Sequence, residues 1–151
     1  MAPSIYYTVN AAFRSLPLFA LALACAAPQT QPSQTVDLAI DFPNPNSKHF
    51  TLPYHPGMTV FDAMTEAQGQ PHGIHFEYRG GRRDPSTLLL VSIDGVSNQG
   101  GGANKRNWTY RVNSILGDRS FGVCKIAASA HIEWQFDTFH SNELMKPGAC
   151  Q

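Results

Sequence analysis

The chain has 151 residues, 42% of them hydrophobic and 15% charged, with 11 Lys+Arg against 11 Asp+Glu. That length suits one domain with an N-terminal appendage. The zero formal charge removes the basic excess by which nucleic-acid binders neutralise phosphate, and the low charged fraction leaves partners to be recognised by shape.

The first segment reads as a targeting sequence. Acidic residues are absent before Asp37, Arg14 supplies positive charge, and Leu16 to Ala24 is an apolar run ending in small residues. The run is far short of the roughly 20 apolar residues that span a bilayer, so residues 1–24 are expected to be a signal peptide that directs export. Cys25 follows Ala22-Leu23-Ala24, an order similar to a bacterial lipoprotein signal. On that reading Cys25 is lipidated and is the only membrane attachment; cleavage after Ala24 or Ala26 with simple secretion is the competing reading. Residues 25–34, rich in Ala, Pro, Gln, Thr and Ser, cannot bury a core and read as a flexible linker.

The domain is expected over residues 35–140. Val36, Leu38, Ile40 and Phe42 alternate with Asp37, Ala39 and Asp41 as in a half-buried strand, and Pro43-Asn44-Pro45-Asn46 is a turn into a second strand near His49 to Pro53. Thr59 is a good N-cap with Asp62 three residues on, Val60, Ala63, Met64 and Ala67 fall at helical spacing, and Gly69 is placed to end the helix. Ile74, Phe76 and Tyr78 predict a third strand. After the polar stretch Arg79 to Thr87, the apolar run Leu88 to Ile93 is expected to sit centrally in the sheet. Trp108, Tyr110 and Val112 share one strand face, as do Ile132, Trp134 and Phe136. Hairpin, helix, then further strands predict the α+β class, with a β-grasp (ubiquitin-like) mixed sheet of about four to six strands and one main helix packed across it. Ile132 and Trp134 should lie on the face that meets Val60 and Met64.

Four short stretches recur in a fixed order: Val91-Ser92-Ile93-Asp94-Gly95-Val96, Gly100-Gly101-Gly102, Asn107-Trp108-Thr109-Tyr110-Arg111-Val112-Asn113 and His131-Ile132-Glu133-Trp134-Gln135-Phe136. With the helix entry Thr59-Val60-Phe61-Asp62-Ala63-Met64, this order resembles the transcobalamin-like C-terminal domain family over about Val36 to Phe139. The resemblance implies a small β-grasp module of exported proteins, and corrinoid (cobalamin) as a ligand. In the cobalamin carriers a helical barrel domain holds the other face of the corrinoid, and this chain has no such domain, so a lone copy is half a site. Members usually carry Asn-Gly where this chain has Asn113-Ser114, and Gly-Asp near Ser129-Ala130-His131, which puts the turn geometry at both places in question.

Candidate chemistry is sparse. Gly100, Gly101 and Gly102, followed by Lys105 and Arg106, could cradle an anion, but no Walker spacing accompanies them and a strand follows. A loop that closes over a ligand, and a plain connection, are the other readings. Trp108, Tyr110 and Trp134 suit either a core or a binding platform, with core the simpler reading. His72, His75 and Glu77 are close enough in sequence to suggest a divalent metal, yet a third well-placed ligand is missing and solvated side chains are the simpler reading, so no metal or cofactor is expected. No nucleophile-and-base signature is present, so no enzymatic activity is expected. With Cys25 lipidated or removed, Cys124 and Cys150 remain as an even pair in an oxidising compartment. A disulfide there would tie the tail, residues 141–151, to the domain; two separate thiols are the alternative. The expected function is an exported, non-catalytic binding module for a corrinoid or other small ligand, using Gly100 to Arg106 with Trp108 and Tyr110. The alternative is a surface module that docks to another exported protein without a small ligand.

Overall fold

The fold is known from a computed structural model that describes residues 33–44, 46–102, 104–138 and 148–151. The expected signal peptide, Cys25 and nearly all of the expected linker lie outside the described residues.

Strands β1 (Thr35–Asp41) and β2 (Ser47–Pro53) form an antiparallel hairpin in which Thr35 faces Pro53 and Asp41 faces Ser47. The alternation in β1 does what period two requires: Val36, Leu38 and Ile40 are buried while Asp37 on the opposite face is exposed. Helix α1 (Val60–Gln68) follows, buried through Val60, Ala63, Met64 and Ala67. Its start is fixed by a reciprocal cap. The Asp62 N–H donates to Thr59 Oγ1 at 3.2 Å, and the Thr59 N–H donates to Asp62 Oδ2 at 2.8 Å.

Six strands complete the fold: β3 (Phe76–Arg79), β4 (Leu89–Ile93), β5 (Val96–Ser97), β6 (Arg106–Val112), β7 (Ile115–Leu116) and β8 (His131–Thr138). They divide between two sheets. The larger has the order β2-β1-β8-β6-β7, with β1 and β8 parallel and the other neighbours antiparallel; the smaller has the order β3-β4-β5. The class is therefore α+β, with a five-stranded mixed sheet and, among the described residues, one α-helix. The run Leu88 to Ile93, expected in the centre of the sheet, is instead the middle strand of the second, three-stranded sheet. Its apolar character reflects burial of Leu90 and Ile93 in the core cluster shared with the larger sheet.

The third strand is shorter than expected, starting at Phe76. Ile74 and Phe76 are buried; Tyr78, which pairs with Leu90 across a register shift that skips Val91, packs 5.3 Å from Phe61 and 5.8 Å from Phe76 on the same side, yet remains 47% exposed. Two-residue turns join β4 to β5 and β6 to β7. In the first, Asp94 and Gly95 have φ of +46° and +80°; in the second, Asn113 and Ser114 have +51° and +67°. Both are primed hairpin turns, whose twist matches that of the strands, so Ser114 adopts the conformation that the commoner Asn-Gly would supply. Ser129 is likewise held at +61°.

Trp134, Ile132, Val60 and Met64 belong to a single buried cluster, as expected for a helix lying across the sheet. The end of the chain is packed as well: Ala149 is buried, the Gln151 N–H donates to the Lys125 carbonyl at 3.0 Å, and Cys150 is joined to Cys124 in a disulfide with Cα atoms 4.9 Å apart. Residues 148–151, assigned from sequence to a tail, are thus part of the folded domain.

Candidate functional site

Between β5 and β6 the glycine segment is a fastened connection. The Gly100 N–H donates to Asn107 Oδ1 at 3.1 Å and Asn107 Nδ2 donates back to the Gly100 carbonyl at 3.0 Å. The Arg106 N–H meets Gln99 Oε1 at 2.9 Å, and the Gln99 N–H meets the Arg106 carbonyl at 3.0 Å. Arg106 lays its guanidinium 5.1 Å from the centre of the Phe136 ring and donates to the Phe136 carbonyl at 2.7 Å, so its charge is engaged within the domain. Lys105 is exposed.

Trp108 and Tyr110 point inward. Trp108 is 6% exposed, sits edge-on to Phe42 at 5.5 Å and donates from Nε1 to the Val96 carbonyl at 2.7 Å. Tyr110 is 7% exposed, packs 5.2 Å from Trp134 and donates its hydroxyl to the Arg119 carbonyl at 2.7 Å. Burial, assisted by the nearby Asp118 carboxylate, pushes the Tyr110 phenol far above its ordinary range. The two rings are core residues whose inner flanks also line a hollow; neither offers an open stacking face on the surface.

That hollow is a cleft of about 210 Å³ where the two sheets part. One wall is Leu88, Leu89 and Leu90, at the start of β4; the other is Trp108 to Tyr110 of β6 with Leu116 and Gly117; Phe121 and Trp134 also line it. Local features hold this shape. Asn98 bridges the strands, donating from Nδ2 to the Leu90 carbonyl at 2.7 Å and accepting from the Trp108 N–H at 2.7 Å. Ser120 Oγ donates to the Leu88 carbonyl at 2.8 Å and so ties the segment after β7 to the start of β4. Gly117 must be glycine, because a Cβ there would run into the Tyr110 ring. At the rim Leu89 is 47% exposed, and Arg119 is paired with Asp118 at 3.2 Å, a hydrogen bond that holds the Asp118 carboxyl below its ordinary range.

Trp134 is 2% exposed and its Nε1 has no hydrogen-bond partner, the only such buried side-chain atom among the described residues. A second hollow of about 580 Å³ lies beyond Leu88, lined by Phe61, Tyr78, Gly80, Gly81 and Arg82 among others.

Of the residues singled out from sequence, the structure brings Trp108 and Tyr110 to the cleft and leaves Gly100, Gly101, Gly102, Lys105 and Arg106 off its lining. Trp134, a core-or-platform candidate from its sequence, also lines the cleft, whereas Leu88, Leu89, Leu116, Gly117 and Phe121 carry no motif of a site. The signal that the sequence does hold is the unbroken run Leu88-Leu89-Leu90, in which a two-residue period cannot turn every side chain to one face. Elsewhere, the Glu77 carboxylate accepts from Ser92 Oγ at 2.8 Å, and the His75 N–H donates to Asp94 Oδ1 at 2.7 Å. Among the described residues no group of three or more His, Cys, Asp or Glu is arranged to hold a metal ion. No known family model matches the chain, and a search of curated proteins found no match.

Proposed function

We propose that this protein is an exported, non-catalytic β-grasp module that binds a small ligand in the cleft between its two sheets. The β-grasp reading is supported by the sheet order, in which the first and last strands are parallel neighbours at the centre and an initial hairpin precedes the helix. Export is supported by the Cys124–Cys150 disulfide, a bond that persists in oxidising compartments, and by the targeting character of residues 1–24.

The observation that carries the binding reading is the cleft itself. Its walls are mostly apolar and aromatic, a few polar groups converge on it, and an exposed leucine stands at its rim, the usual constitution of a small-molecule site. Size decides the ligand. At about 210 Å³ the cleft falls below the roughly 300–1,000 Å³ of sites that enclose drug-sized molecules. A corrinoid, the ligand suggested by the family resemblance, would rest across the mouth with most of its ring in water, whereas a smaller molecule would be enclosed.

Thermal melting with cobalamin and with a panel of small neutral aromatics tests this. A ligand present at a hundred times its dissociation constant stabilises by about 2.7 kcal/mol, which raises Tm by about 10 °C in a domain of this size. Small neutral compounds should produce such a shift, and cobalamin a smaller one or none. A second reading, docking to another exported protein, is favoured by the exposed side chains Tyr78 and Leu89, each 47% exposed. If neither cobalamin nor any panel member moves Tm, that reading takes first place.

A further inference from the structure

Among the described residues, arginine is engaged within the domain except in one segment. Arg106 donates to the Phe136 carbonyl at 2.7 Å, Arg111 donates to Gln135 Oε1 at 3.3 Å, and Arg119 is paired with Asp118 at 3.2 Å. Arg79, Arg82 and Arg83 are exposed, and among the described residues none of their side chains has a hydrogen-bond or ion-pair partner. The carboxylate that follows them in the chain is occupied, since Asp84 Oδ1 accepts from the Ser86 N–H at 2.9 Å. Asp62 is occupied too, its Oδ2 accepting from both the N–H and the hydroxyl of Thr59 at 2.8 Å.

The same segment borders the second hollow, of about 580 Å³, whose lining includes Phe61, Tyr78, Gly80, Gly81, Arg82 and Leu88. Only Leu88 is shared with the cleft. Phe61 meets the Tyr78 ring edge-on at 5.3 Å, and Tyr78 is 47% exposed, so an aromatic corner lies beside unpaired guanidinium groups. Tyrosine and arginine are among the side chains that most often dominate the binding energy of protein interfaces. The turn between them is also held in shape. Gly80 and Gly81 have φ of +82° and +76°, a Cβ would run into the Thr87 carbonyl at the first and the Leu88 side chain at the second, and the Gly81 N–H donates to Thr87 Oγ1 at 3.0 Å. A surface already ordered loses less freedom when a partner binds.

We propose that the segment from Arg79 to Arg83 and the adjoining hollow form a docking surface for an acidic, extended stretch of a partner protein. An apolar side chain of that stretch enters the hollow against Phe61 and Tyr78, and its carboxylates meet the arginines. Charge complementarity selects this partner: the planar guanidinium fork matches carboxylates, and the aromatic corner takes an apolar side chain on the same chain. A long polyanion needs a wide basic field, which a chain with 11 Lys+Arg against 11 Asp+Glu does not have. The inference rests on the docking reading given above and not on occupation of the cleft.

The probe is a short peptide, blocked at both ends, in which Glu and Asp flank a central Phe on both sides. It is titrated into the 15N-labelled full chain while backbone amide shifts are followed. Saturable shifts should centre on Phe61 and on Tyr78 to Arg83. Replacing the acids of the peptide by Gln and Asn should weaken binding about tenfold, the sum of a few exposed ion pairs, and replacing its Phe by Ala should weaken it as well. Raising the salt from about 0.01 M to about 0.15 M shortens the screening length from about 30 Å to about 8 Å, which should weaken the acidic peptide and leave the neutral one unchanged. Arg82→Gln combined with Arg83→Gln should reduce the acidic peptide to the affinity of the neutral one with Tm unchanged, because both side chains are exposed and unpartnered among the described residues.

Equal affinity for the acidic and neutral peptides, or full affinity after the double arginine substitution, overturns the proposal. Absence of saturable shifts at about 0.01 M salt, where screening is weakest, overturns it too, as do shifts confined to Trp108 to Tyr110 and Leu116 to Phe121; binding of small molecules in the cleft would stand in the first of these cases. A heparin fragment that shifts the same amides with equal affinity overturns the assignment to an acidic polypeptide.

Discussion

Ser114 and Ser129 are held at φ of +67° and +61°, a region that costs a side-chain-bearing residue about 1–2 kcal/mol. Glycine would remove that cost and return part of it as extra freedom in the unfolded chain, about 0.4–1 kcal/mol. Relief is the larger effect, so Ser114→Gly should stabilise the domain by about 0.5–1 kcal/mol, read as a higher urea midpoint at unchanged slope. Tyr110 has a different signature. Burial first, and the Asp118 carboxylate second, raise its phenol above the ordinary value, so the native state keeps a proton that the unfolded chain releases near pH 10. Stability from this group is complete below about pH 10 and is lost as pH rises above it. Urea stability measured from about pH 9 to 11.5 should fall more steeply for the parent protein than for Tyr110→Phe; parallel curves would show that the hydroxyl titrates normally.

At the scale of elements, the chain announces those features that local chemistry decides. Thr59, Asp62 and Gly69 bracket helix α1 because capping involves residues three apart, and the period-two aromatics of β6 and β8 face the core because pleating alone dictates it. What escapes a linear reading is set by pairing between distant segments: the register shift between β3 and β4, and the division of the strands into two sheets. The cap gives a direct prediction. Thr59→Ala should cost about 1 kcal/mol of stability, with the N–H of Asp62 left to water. The disulfide gives a larger one. Cys124 and Cys150 are 26 residues apart, and closing a loop of that length in the unfolded chain corresponds to about 3.5 kcal/mol. Reduction with a phosphine should lower Tm accordingly, and Cys150→Ser should melt like the reduced protein.

For the molecule as a whole, the candidate site illustrates the same division. Trp108 and Tyr110 were legible as core or platform, and the structure gives them the first role with one flank on a hollow. The rest of the lining comes from separate stretches, Leu88 to Leu90, Leu116 to Phe121 and Trp134, brought together only by the way the small sheet leans on the large one. Glycine often marks backbone that approaches a ligand, yet in the Gly100–Gly102 loop Asn107 and Gln99 fasten the chain to the start of β6. Trp134 is buried in the core and also lines the cleft. Trp134→Ala, removing a fully buried ring, should destabilise by about 3–5 kcal/mol, whereas Leu89→Arg should be nearly neutral for stability, so binding and folding can be separated by mutation.

The central claim is that a small molecule enters between the two sheets. Mapping backbone amide shifts while a soluble neutral aromatic such as acetophenone is titrated tests it most directly. The account predicts saturable shifts concentrated at Leu88–Leu90, Thr109–Tyr110 and Leu116–Phe121, with Gly100–Gly102 and Lys105 unmoved. Shifts centred on the glycine loop, or no saturable shifts at any residue of the cleft, would contradict it.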